Sequence, residues 1–126
     1  MESDQERPSW CPAQGQLTYL QIPTTDLGAS SRFYSAVFGW SVEPGTSSFE
    51  APGLIGQWAT DRPPSADAGF LIWISVKEID AAIDAAIANG GLVIDPPFLD
   101  DTRRLATIRD PSGNTVGIVQ DDIQTS

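Results

Sequence analysis

Along residues 17–27, LTYLQIPTTDL, apolar and polar positions alternate until a Pro-Thr-Thr-Asp cluster stops the run. Period-two alternation predicts a strand with Tyr19 and Gln21 on one face and Leu20 and Ile22 on the other. Thr25 or Asp26 then caps a helix reaching to about Phe38. On that helix Leu27, Ser31, Tyr34 and Phe38 share a face, with Ser30, Phe33, Val37 and Trp40 beside it. Gly39 is placed to end it, because glycine enters the left-handed conformation cheaply. WSVEP, SFEAPG and LIGQWAT follow as three short strands broken by Pro and Gly, and DRPPSADAG reads as a linker.

The second half repeats this order. FLIWISV is a strand, and Ser75 with Glu78 matches a capping box, with the cap itself placed at Ser75 or one or two residues later. EIDAAIDAAIANGG is the clearest helix pattern: Ile79, Ile83 and Ile87 make one apolar stripe and Gly90-Gly91 ends it. LVIDPP, RLATIRD and TVGIVQ are three more strands, the last two joined by the turn DPSGN. Tyr19 and Leu71, Gln21 and Trp73, Asp26 and Glu78, and Gly39 and Gly91 all stand 52 positions apart. The halves share little identity but one order of elements, so the chain reads as a duplicated βαβββ unit. The fold class is α+β, two tandem modules whose mixed sheets form a half-open barrel around a cleft. The modules span about 15–62 and 68–121 of one domain, 15–126.

Composition narrows the function. The chain has 126 residues, one domain's length, and a net charge of −10 with seven Lys and Arg and no His. Nucleic acid is excluded as a partner, since phosphate binding needs clustered cations and only Arg103-Arg104 are adjacent. Ser/His/Asp and Cys/His nucleophilic arrangements are excluded with histidine. A lone Cys11 permits neither an internal disulfide nor a Cys-based zinc site and fits a reducing cytoplasm. No apolar run is long enough for a spanning helix, so no membrane partner is expected. MESDQERPSWCP lacks the basic start and apolar stretch of a signal peptide, and 1–14 reads as a flexible lead-in.

Two sheets placed side by side leave concave faces that can hold a ligand. Strand alternation puts Tyr19, Gln21, Gly56, Trp58, Leu71, Trp73, Gly117 and Val119 toward that cleft. This set is aromatic and apolar, with few hydrogen-bonding groups. The plainer reading stays open beside it: Trp58 and Trp73 fill the space as core, and the glycines let strands approach closely. Trp40 is expected to pack, and Asp110 to bond its own turn backbone.

LTYLQIPTTDLGASSRFYSAVFGW, IWISVKEIDAAIDAAIANGGLVIDPP and DPSGNTVGIVQ resemble the two modules and closing turn of the glyoxalase / bleomycin resistance protein / extradiol dioxygenase superfamily, over about residues 15–121. The resemblance implies paired βαβββ modules, frequent homodimers and a ligand in the cleft. Its enzymes hold a divalent metal on the first and last strand of each module, commonly with His and Glu or Gln. Those positions fall here on Tyr19, Leu71, Gly117 and either Gly56 or, one residue along, Gln57. A phenol, an isobutyl group and two hydrogens do not make a metal site. The expected function is therefore metal-free and cofactor-free binding of a small aromatic or cationic molecule, a sequestration role with no catalytic residue. The alternatives are a superfamily lyase, isomerase or dioxygenase with a non-standard site, or a structural or regulatory domain with a self-filled cleft.

Overall fold

The computed structural model describes Gln14, residues 17–66 and residues 69–121. The lead-in expected over 1–14, with Trp10 and Cys11, lies outside the described residues apart from Gln14. The first module runs β1 (Tyr19–Pro23), α1 (Leu27–Phe38), β2 (Ser41–Val42), β3 (Ser48–Ala51) and β4 (Leu54–Ala59). The second runs β5 (Trp73–Ser75), α2 (Ile79–Ala88), β6 (Leu92–Asp100), β7 (Arg103–Arg109) and β8 (Thr115–Asp121).

Each module builds one four-stranded mixed sheet of the same topology, β1-β4-β3-β2 and β5-β8-β7-β6. The first strand pairs parallel with the last, and the remaining pairs are antiparallel. The helix is the crossover that a parallel pair requires. The sheets do not close into a barrel: β1, β2, β5 and β6 remain edges.

Local chemistry explains the helix ends. Asp26 caps α1 in an extended conformation, its side chain accepting from Ala29 N, and Gly39 at φ 73° stops the helix. The α2 start differs from the capping box expected at Ser75 and Glu78. Ser75 belongs to β5, and the N-cap Glu78 makes no side-chain cap bond. Instead Gln120 on β8 accepts from Ile79 N at 2.7 Å, so a neighbouring strand supplies the cap. The repeat also slips at the end of α2. The left-handed residue is Gly90, not Gly91. Gly91 serves close packing, since a Cβ there would stand 2.6 Å from Arg109 O and from the Phe33 ring.

One hydrophobic core receives the helix-facing sides of both sheets and spans both modules. Tyr34, Trp40, Phe49 and Trp58 form its aromatic centre. Tyr34 and Trp40 stack at 5.1 Å, Trp40 and Phe49 at 5.2 Å, and Phe49 meets Trp58 at 4.4 Å. Trp40 packs, as its position after the helix suggested.

The turn at 110–114 joins the modules. Asp110 accepts from Ser112 N and Asn114 N, as a turn aspartate should. Its other oxygen accepts from Tyr34 OH at 2.8 Å and from Asn114 Nδ2. Asn114 Nδ2 also donates to Pro23 O at the end of β1, and Ser112 Oγ accepts from Thr25 N. Burial first, then the Asp110 charge and hydrogen bond, push the Tyr34 phenol well above 10.0.

Among the described residues no helix is long and apolar enough to cross a membrane.

Candidate ligand-binding site

Alternation on β1 and β4 sorts the first sheet into two faces. Leu20, Ile22, Gly56 and Trp58 turn toward the core, whereas Tyr19, Gln21, Ile55 and Gln57 are exposed on the opposite, open face. The expectation that Gly56 and Trp58 line the cleft is therefore corrected. Trp58 is buried beside Phe49, and a Cβ on Gly56 would overlap Leu20 O and the Phe49 ring. Glycine at 56 makes room for core packing, not for a ligand.

The paired registers locate the true equivalent. Gln21 lies opposite Gln57, and Trp73, which matches Gln21 in the repeat, lies opposite Gly117. The position corresponding to Gly117 is thus Gln57, the one-residue alternative. Tyr19 OH donates to Gln57 Oε1 at 2.7 Å, so the opening and closing strands of the first module are joined directly across the open face.

On the second sheet the open face carries Trp73, Ser75, Gly117 and Val119, with Thr107 and Leu105 alongside on β7. Trp73 lies over Gly117: a Cβ at 117 would overlap the indole. The indole keeps 43% of its surface exposed, and Tyr19 keeps 50%. Thr107 donates to Asp95 Oδ2 at 2.7 Å, which fixes the β6 side of this face. Leu71 is exposed just ahead of β5, where Ile72 O still accepts from Gly117 N.

Of the residues expected to gather in one cleft, the structure keeps Tyr19 and Gln21 on one open face and Trp73, Gly117 and Val119 on the other. Gln21 also reaches a cavity of about 320 Å³ between the modules, where Leu20, Ile22, Ile72 and Ile74 supply apolar walls and Tyr34 and Trp40 lie deeper. Thr115 lines this cavity from the second sheet. Single-module alternation could not reveal a cavity that exists only where two edges face each other.

The fold is that of known proteins. The model of the Glyoxalase/Bleomycin resistance protein/Dioxygenase superfamily matches residues 16–118. The chain belongs to this superfamily. It is 33% identical over 120 residues to CFP32 of Mycobacterium tuberculosis, a protein named as a glyoxylase candidate, covering 85% of this chain and 46% of CFP32. The chain therefore spans about half the length of that relative. A glyoxalase/bleomycin resistance protein from Albidiferax ferrireducens superposes with a TM-score of 0.67 at 26% identity, over 82% of this chain and 97% of that one. TnmS3, an antibiotic binding protein from a Streptomyces species, shares the fold at a TM-score of 0.62 and 20% identity, over 85% and 96% of the two chains.

Superfamily enzymes imply a divalent metal, and the residues here do not fit one. Three or four converging N, O or S donors are needed. Tyr19 offers a neutral phenol that donates to Gln57 Oε1, Leu71 has no donor atom, and the space a carboxylate would take at 117 holds the Trp73 indole. Among the described residues no three His, Cys, Asp or Glu side chains converge.

Proposed function

We propose that this protein is a metal-free binding member of the superfamily that sequesters a small, planar, aromatic or cationic molecule on its open sheet faces, as a homodimer in the cytoplasm. The observation that carries the reading is Trp73. Its indole lies on a glycine where family enzymes place an acid, and its outer side is exposed to a ligand. Ring stacking and cation–π contact at such a position contribute about 1–3 kcal/mol. Tyr19 and Gln57 add a polar end that reads hydrogen-bonding groups without chemistry. Binding alone protects against a toxic ligand, so no reactive residue is required. The shared fold with an antibiotic binding protein supports this reading.

A titration of metal-stripped protein with a planar acridinium dye, followed by tryptophan fluorescence, tests it. Saturable quenching that Trp73→Ala weakens by about 1–3 kcal/mol is the expected result. Quenching that needs an added divalent metal, or that survives Trp73→Ala intact, contradicts it. The rival is a glyoxylase-type enzyme, favoured by the 33% identity to CFP32. It requires turnover of an aldehyde adduct by metal-loaded protein, which the proposed reading forbids.

A further inference from the structure

A further concavity lies away from both open faces, beside α1. It is a groove of about 620 Å³ between that helix and the 42–46 segment, with the C-terminal end of α2 at its margin. The volume is within the range of small-molecule sites. Helix geometry explains it. Ser30, Phe33 and Tyr34 turn into the core. Leu27, Ser31 and Ser35, spaced four apart, run along the adjoining flank and line the groove together with Gly28 and Arg32.

Two kinds of surface meet in this groove. Leu27, Ala36, Val42 and Pro44 make apolar walls, and the half-buried Ser31, Ser35 and Asn89 supply polar atoms. Asn89 Nδ2 is engaged by Ala85 O, which leaves the amide held in place. Among the described residues Arg32 is the one charged residue lining the groove, with the Asp26 carboxylate just outside the lining on the other side of Gly28. Among the described residues Arg32 forms no ion pair, whereas Arg104 pairs with Asp80 at 3.6 Å. Arg32 thus brings a guanidinium to an apolar-walled groove that also carries serine hydroxyls. A guanidinium offers a donor fork that matches carboxylate or phosphate.

We propose that this groove is a second binding site, specific for a small organic anion with an apolar body: the anionic head on Arg32, flanked by the serine hydroxyls, and the body along Leu27, Ala36 and Val42. It is independent of the open faces and their cationic or aromatic ligand, and each site stands or falls alone.

Two-dimensional amide NMR of the full chain, titrated with hexanoate and, separately, hexylamine, tests the proposal. Hexanoate is expected to produce saturable shifts at 27–36, 42–46 and 89 at concentrations below about 10 mM, and hexylamine none there. Arg32→Gln is expected to weaken hexanoate at least about tenfold, and Arg32→Lys to retain part of the binding. Arg32 is exposed, so both variants should fold, and their spectra show directly whether they do. The proposal is overturned by equal response to the two probes, by hexanoate shifts confined to the open faces, by no saturation, or by full affinity in Arg32→Gln.

Discussion

Tyr34 shows how much one side chain can join. It fills the aromatic centre and gives its only hydroxyl to Asp110 across the module boundary. Tyr34→Phe keeps the ring and removes the bond, leaving a buried carboxylate with one donor fewer. Denaturant unfolding should show a loss of about 1–3 kcal/mol. The pH dependence has a defined sign. Folding holds the phenol neutral above its ordinary value of 10.0. The unfolded chain ionises near that value, so stability is full below it and falls as pH rises past it. Tyr34→Phe should flatten this alkaline fall, which unfolding curves on either side of that pH would reveal. Trp58 is the opposite case. Its Nε1 is buried with no hydrogen-bond partner among the described residues. Trp58→Phe removes an unsatisfied donor while leaving a ring against Phe49, so stability should change by less than about 1.5 kcal/mol, far short of an ordinary Trp truncation. Gly56 and Gly117 look alike in sequence and differ in consequence. A methyl at 56 meets backbone and a buried ring. At 117 its nearest neighbours are atoms of the half-exposed Trp73 indole, a side chain and not backbone. Gly56→Ala should therefore cost more stability than Gly117→Ala, and only the latter should alter Trp73 fluorescence.

At the scale of elements, both strand–helix–three-strand units and a cap at Thr25 or Asp26 were legible, because period-two alternation, turn residues and a glycine stop are local signals. The opening run and its counterpart at 69–80 are one piece of structure used twice. What was not legible depends on contacts between elements. The Gln120 cap on α2 comes from a strand 41 positions away. Gly56 against Gln57 is a one-residue register, and a shift of one turns every side chain to the other face. No periodicity could decide it, whereas the observed pairing of Gln21 with Gln57 does. The DPSGN turn was legible as a turn but not as a clasp, since its partners Tyr34, Pro23 and Thr25 lie in the other module. Asn114→Ala removes both amide donations and should lower stability by about 1–3 kcal/mol in thermal or denaturant melts.

At the scale of the molecule, two modules share one core while their open faces carry Tyr19, Gln57 and Trp73. The net charge of −10 should draw a cationic ligand, so its association should slow as salt rises while the dissociation rate changes little. The central claim is that the site binds without a metal. Native mass spectrometry of freshly purified, untagged protein tests it most directly. A dimer mass with no stoichiometric divalent metal, alone or carrying an organic ligand, is the predicted result; a stoichiometric divalent metal would contradict the account and return the open faces to enzyme chemistry.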